Sequence, residues 1–178
     1  MEKKYRIETL ISEEKLIEGI RKVAEQINRE YEGRAVHLIC VLKGGVYFLT
    51  ELSKYLTVPV SIDFMSVSSY GAGTKSSGIV KIIKDLDQPI EGKNVIVVED
   101  IIDSGNTLSY LLGILRDRKP ASIKLVTMLD KPSRRVKPLN TDISAFVIED
   151  RYVVGYGLDY DQKYRNLPFI GEVIFEEE

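Results

Sequence analysis

The run Val36-His37-Leu38-Ile39-Cys40-Val41-Leu42 constrains this chain more than any other segment. It is almost wholly apolar, short for a helix, and bounded by Gly33 and Gly44. Central strands of parallel sheets read this way, because helices cover both of their faces. The flanking segments supply those helices. Leu16, Ile17, Ile20, Val23, Ala24 and Ile27 form a helical stripe between Ser12 and Tyr31, with Ser12 as its N-cap. Val46, Leu49, Leu52 and Leu56 mark a second helix that ends before Pro59, and Leu108, Leu111, Leu112 and Leu115 mark a third. Val60–Met65 reads as a strand, Ile79–Lys84 as a weakly alternating one, and Val95–Val98 as a solidly apolar one after the turn Glu91-Gly92-Lys93. Ser122–Leu129 and Ile143–Ile148 complete the set. Strands alternating with helices predict an α/β fold with a mostly parallel sheet flanked by helices. No repeat, long linker or low-complexity tract interrupts the pattern, so residues 1–178 are expected to form one domain.

Composition removes several function classes. A chain of 178 residues fits one domain of about 150 and needs no metal or disulfide staple. The net charge of -2 leaves no global basic field for nucleic acid or an anionic membrane. Cys40, the one cysteine, has no disulfide partner, and His37, the one histidine, cannot build a multi-histidine metal site. The two share one apolar run, and they read either as buried strand residues or as a Cys–His nucleophile pair. No window is apolar enough to span a membrane, and Met1–Leu10 lacks the apolar core of a signal peptide, so a reducing cytoplasm is expected.

Parallel sheets bind ligands beyond the carboxyl ends of their strands, so the loops after those ends carry the chemistry. Three stand out: Leu42-Lys43-Gly44-Gly45, the segment Glu99 to Thr107, and Leu129-Asp130-Lys131-Pro132. Val95–Val98 runs straight into Glu99 and Asp100, whose side chains point to opposite faces of an extended segment. Paired carboxylates there suit Mg²⁺ or the hydroxyls of a ribose. Asp103-Ser104-Gly105-Asn106-Thr107 then opens a helix with small residues, hydroxyls and accessible amides, a place where a phosphate fits. The bland reading is a capped helix after a solvated acidic turn. A P-loop is absent, and Gly71-Ala72-Gly73 and Gly155-Tyr156-Gly157 each lack the third glycine of a dinucleotide fingerprint.

The segment Val97-Val98-Glu99-Asp100-Ile101-Ile102-Asp103-Ser104-Gly105-Asn106-Thr107 resembles the phosphoribosyl-diphosphate signature of type I phosphoribosyltransferases, in the wording of the hypoxanthine-guanine family. Leu42-Lys43-Gly44-Gly45, Ser68-Ser69-Tyr70-Gly71, Val153 to Tyr160 and Tyr164-Arg165-Asn166-Leu167-Pro168 extend the likeness in family order, from about residue 10 to residue 174. The resemblance implies a small hood built from the chain ends. It implies transfer of a phosphoribosyl group from phosphoribosyl diphosphate to N9 of a 6-oxopurine, giving IMP or GMP and pyrophosphate, with Mg²⁺ as cofactor. It implies a homodimer or homotetramer.

Residue roles follow from the same likeness. Asp103 is the base or acceptor at purine N7. Glu99 and Asp100 hold the ribose hydroxyls and the Mg²⁺ shell, and Asp159 reaches a second Mg²⁺. Ser104, Gly105, Asn106 and Thr107 cradle the 5′-phosphate, with a backbone contact at Asn106, where the family varies. Lys43 and Gly44 form the pyrophosphate loop, with a cis peptide before Lys43, and Arg165 meets the same pyrophosphate. Ser69 and Tyr70 belong to a lid spanning about residues 66–78, whose bland reading is a flexible hairpin loop. Lys131 donates to the purine 6-oxo group and so rejects adenine; Tyr152 stacks on the base, and Val153 presents backbone groups to it. Arg134, Arg135 and Lys137 read as a solvated loop.

Three other readings compete. A receiver domain shares an acidic Mg²⁺ pocket and a strand-end Lys131-Pro132, but its acidic pair belongs after the first strand, and none follows Val36–Leu42. A nucleotide-sensing regulator on the same fold calls for a basic face or an added domain. A xanthine or pyrimidine enzyme of the same fold also fits, though Lys131 and Tyr152 speak against a pyrimidine.

Overall fold

The computed structural model describes residues 4–69 and 80–176. In chain order they form β1 (Tyr5–Ile11), α1 (Glu13–Glu30), β2 (Val36–Val41), α2 (Val46–Lys54), β3 (Val60–Ser69), β4 (Val80–Lys84), β5 (Asn94–Ile102), α3 (Asn106–Asp117), β6 (Ser122–Asp130), β7 (Ile143–Val147), β8 (Val153–Val154) and β9 (Ile170–Phe175), with a 3-10 turn at Pro132–Arg134. A six-stranded sheet has the order β4-β3-β2-β5-β6-β7, and a three-stranded sheet the order β1-β9-β8. In the larger sheet every pairing is parallel except β3 with β4.

Every residue of β2 is buried, and the reason is its two-sided cover. Leu38 and Cys40, with Ile96 and Val98 of β5, pack among the residues of α1 and α2. Ile39 and Val41, with Val95 and Val97, pack on the opposite face against the leucines of α3. The same alternation separates His37 from Cys40. His37 Nδ1 lies 2.7 Å from Ser61 Oγ, while burial, then Glu99 and Asp100, push the Cys40 thiol up to about 12. The nucleophile pair does not form.

Local chemistry sets the helix starts. Ser12 is extended and accepts a bond from the Lys15 N–H at 3.4 Å, with Glu13 and Glu14 in the first turn of α1. Leu16, Ile20 and Ile27 are fully buried, and each side chain of this size contributes about 1.5–3 kcal/mol by leaving water.

Two boundaries differ from the sequence reading. β5 continues past Val98 because Ile101 and Ile102 ladder onto Leu129 and Asp130 of β6, so Glu99 and Asp100 sit within the strand. β3 extends to Ser69 and takes the first residues of the expected lid into its ladder with β4, where Val67 faces Ile82 and Ser68 faces Lys81. Tyr70 and the rest of that loop lie outside the described residues. The chain ends pair antiparallel, Tyr5 opposite Phe175, and β8 adds to β9. This small sheet is the hood that the resemblance implied. Among the described residues no helix is long and apolar enough to cross a membrane.

Candidate active site

The alternation that buries Val97 and Val98 on opposite faces carries on into the two carboxylates. Glu99 lines a cleft of about 170 Å³ with Asp103, Ser104, Gly105, Asn106 and Thr107. Asp100 turns the other way, onto the Lys43–Gly44 loop: a Cβ on Gly44 would stand 1.5 Å from Asp100 Oδ2. Asp100 Oδ1 accepts the Ile101 N–H at 2.7 Å. Burial raises the Asp100 pKa to about 6, opposed by that N–H and by Arg165. Burial also lifts Glu99 well above the ordinary carboxylate range, helped by Asp100. Two desolvated carboxylates at one strand end are electrostatically incomplete without a cation.

Opposite Asp100, residues far apart in the chain converge. The Leu42–Lys43 peptide is cis. Gly157, at φ +103°, abuts the same loop so closely that a Cβ there would lie 2.0 Å from the Gly44 carbonyl oxygen. Arg165 donates to the Gly157 carbonyl at 2.7 Å and pairs with Asp159 at 2.7 Å. The Gln162 side-chain oxygen Oε1 accepts from both Lys43 Nζ at 3.4 Å and Arg165 at 3.3 Å, while the Gln162 backbone N–H bonds to Asp159 Oδ2 at 2.8 Å. Lys43, Gly44, Asp100, Asp159 and Arg165 thus share one place. Gln162, which the sequence reading passed over, ties two of its cations together.

The phosphate-sized cleft is shaped by a glycine. Gly105 precedes α3 at φ +78° and, as a glycine, has no side chain to cap that helix start, and the first-turn residues Asn106 and Thr107 line the cleft. Ser104 Oγ accepts from the Asn106 N–H at 3.4 Å. The loop is held from behind by the segment after β6. Lys131 N–H bonds to Ile102 O at 3.0 Å, and the N–H groups of Val136 and Lys137 bond to Ser104 O at 3.0 and 3.2 Å.

Here the solvated-loop reading needs correction at Arg135, while Arg134 is exposed as read. Arg135 is mostly buried, pairs with Asp130, and donates to the Asp103 carbonyl at 3.1 Å. Arg134 Nε donates to Asp103 Oδ1 at 3.1 Å, and its other arm lies 3.5 Å from Asp150. Lys137 is exposed, as read. In a run of charges nothing marks one arginine as buried; the signal was the nearby carboxylates Asp103 and Asp130.

A second cavity, of about 320 Å³, adjoins the first and brings together Asp103, Lys131, Tyr152, Val153 and Asp159 over an apolar floor of Ile101 and Leu158. Lys131 is buried, with Nζ bonded to the Arg151 carbonyl and 3.9 Å from Asp150. Tyr152 O accepts the Val173 N–H at 2.8 Å, which hangs this wall of the pocket on β9. Ser69 ends β3, and Tyr70 lies beyond the described residues.

Among the described residues no three metal-binding side chains converge on one point. Magnesium is commonly held by one or two carboxylates, with waters and substrate phosphates completing its shell. Glu99, Asp100 and Asp159, all hard oxygen donors and two of them desolvated, fit that mode of binding.

Known proteins share this layout. The family described as phosphoribosyl transferase domain matches residues 7–161. Over 162 residues the chain is 50% identical to the hypoxanthine-guanine phosphoribosyltransferase of Bacillus subtilis (strain 168), spanning 91% of this chain and 90% of that one. It is 54% identical over 162 residues to the bifunctional protein TilS/HprT of Listeria monocytogenes serotype 4b (strain F2365), of which it spans only 25% of the length. A crystal structure of a hypoxanthine-guanine phosphoribosyltransferase from Bacillus anthracis superposes with a TM-score of 0.90 at 47% identity, covering 96% of this chain and 99% of that one. With the family matched over most of its length and the fold shared along nearly all of it, the chain belongs to the phosphoribosyl transferase family, among the hypoxanthine-guanine phosphoribosyltransferases.

Proposed function

We propose that the chain transfers the 5-phosphoribosyl group of phosphoribosyl diphosphate to N9 of hypoxanthine or guanine, giving IMP or GMP and pyrophosphate. The observation that carries this reading is that Asp103 lines both cavities. One has the size and the helix N-terminus for a phosphate, the other the size and donors for a purine, and the ribose between them reaches Glu99.

In this mechanism Tyr152 stacks on the base and Lys131 donates to its 6-oxo group. Val153 offers backbone groups at the purine edge. Ser104, Gly105, Asn106 and Thr107 hold the 5′-phosphate. Asp103 accepts the proton at N7, which frees electron density for N9 to bond to the anomeric carbon. The bond from that carbon to pyrophosphate breaks with both electrons leaving on the pyrophosphate. Lys43, the Gly44 amide and Arg165 receive the negative charge that develops there. By the family resemblance, Ser69 and Tyr70, the latter outside the described residues, would keep water from hydrolysing the activated sugar. Glu99 and Asp100 would hold the Mg²⁺ shell around the ribose hydroxyls and Asp159 would reach a second Mg²⁺, and the ion would supply charge neutralisation on the diphosphate.

The test is pyrophosphate release with phosphoribosyl diphosphate and Mg²⁺, offering hypoxanthine, guanine, xanthine and adenine separately. Turnover is expected with 6-oxopurines, and adenine is expected to be at least about 10²-fold poorer, because its 6-amino group offers the Lys131 ammonium no acceptor. A chain that binds nucleotide but turns over no base would refute the enzyme and point to a nucleotide-sensing regulator.

A further inference from the structure

Aromatic rings of the three-stranded hood and of the loop between β8 and β9 meet at one place. Tyr5 of β1, Tyr152, Tyr160, Tyr164 and Phe175 of β9 form a connected cluster. Tyr152 meets Tyr160 edge-on at 5.6 Å between ring centroids and 87° between planes. It meets Phe175 at 6.3 Å and 70°. Tyr160 and Phe175 touch each other at 5.9 Å and 76°. Behind them Tyr5 packs on Tyr160 at 5.2 Å and on Phe175 at 6.1 Å, and its hydroxyl lies 2.7 Å from that of Tyr164. Tyr152 is the member at the edge: it is 48% exposed and lines the larger cavity.

We infer that Tyr160 and Phe175 are positioning residues for purine binding, holding the Tyr152 ring in the orientation that receives the base. An exposed tyrosine has open rotamers, and a ring that must be found in one of them binds its partner with an affinity reduced by the fraction that is not there. Edge-to-face contacts from two directions remove that loss, since each such pair favours one orientation by a factor of about 2 to 10. Tyr160 lies next to Asp159, which lines the cavity itself, and Phe175 comes from the far end of the chain. The sheet of chain ends is therefore part of the base site and more than a cover over it. This inference rests on the phosphoribosyltransferase reading above and adds residues that touch neither substrate.

The experiment measures KM for hypoxanthine and guanine and KM for phosphoribosyl diphosphate in the parent and in Y160L, F175L and Y160F. For Y160L and F175L the purine KM is expected to rise about 2- to 10-fold while KM for phosphoribosyl diphosphate stays within about twofold. Y160F keeps the ring and is expected to retain the parental purine KM. A merely structural role would move both constants together or neither. If Y160L fails to fold, F175L carries the same test through an independent contact. Unchanged purine KM in a folded, active Y160L or F175L would overturn this inference and leave the enzyme reading intact. A parent chain inactive with every 6-oxopurine would overturn the enzyme reading, and this inference with it.

Discussion

Gly44→Ala is expected to abolish most activity while sparing the fold. The Cβ would land 1.5 Å from Asp100 Oδ2 and 2.5 Å from its Cγ, where ordinary contact begins at 3.4 Å, so the carboxylate must retreat by 1.9 Å (3.4 minus 1.5). The backbone of Asp100 cannot follow, because neighbouring residues on both sides are laddered to β6. The side chain must rotate instead, and it loses the 2.7 Å bond from the Ile101 N–H. Misplacing a reacting or metal-holding group by about 1 Å costs about 10²-fold in rate, so kcat/KM is expected to fall at least that far, about 2.7 kcal/mol of lost transition-state stabilisation. Stability is expected to fall only by the loss of that one bond, about 1 kcal/mol. Gly44 does not use left-handed backbone, and the atom struck is the end of a side chain.

Gly157→Ala supplies the contrast. Its Cβ would strike the Gly44 carbonyl oxygen at 2.0 Å from a φ of +103°, so the backbone itself must move. Strain of this kind costs about 1–3 kcal/mol, or about 2–12 °C in Tm for a domain of this size. Pyrophosphate release titrated with Mg²⁺ and phosphoribosyl diphosphate, alongside thermal unfolding, reads both quantities. Gly44→Ala is expected to unfold within about 3 °C of the parent. Activity within threefold of the parent, or a Tm loss matching that of Gly157→Ala, would refute the assignment of Asp100 to the reacting centre.

Two further outcomes follow from single side chains. Asp103→Asn keeps the shape of the acceptor but cannot take the N7 proton, so turnover is expected to drop about 10²- to 10⁴-fold with IMP affinity little altered; single-turnover kinetics and IMP titration separate the two, and turnover within twofold of the parent would remove Asp103 as the base. His37 is buried, its Nε2 has no hydrogen-bond partner among the described residues, and burial followed by Lys93 lowers its pKa against a smaller opposing pull from Asp63. The unfolded chain then takes up a proton near pH 6.5 that the folded chain resists, so stability falls as pH drops below that value, by at most about 1.4 kcal/mol per pH unit. His37→Leu is expected to flatten that slope in denaturant melts between about pH 7 and pH 5, and parallel curves for parent and variant would contradict the burial of a neutral imidazole.

What could be read from the residues, and what could not, divides along a physical line. β2 and β5 were legible because two-sided burial writes an unbroken apolar run into consecutive residues, and the cleft lined by Asp103 to Thr107 was legible because those residues are contiguous. β1 and β9 were not read as strands. Each is only half-buried, and its partner is the other end of the chain, so neither shows a pattern that its own neighbours explain. The same holds within the site. Gln162 meets Lys43 across 119 positions, and its place between two cations depends on a loop in which Asp161, Gln162 and Tyr164 all take positive φ. No composition rule foretells that, since these are not glycines. Arg135 fails differently: a charged residue among charged residues reads as solvated until the carboxylate of Asp130 and the carbonyl of Asp103 are seen to enclose it. Contiguous motifs therefore report which residues line the clefts, whereas the residues that hold them in place come from elsewhere in the chain and become visible only through the fold. The Tyr152 cluster is the extreme case, since its five rings come from both chain ends and the loop between. If purine affinity follows those rings, the division between hood and active site is one of sequence position and not of function.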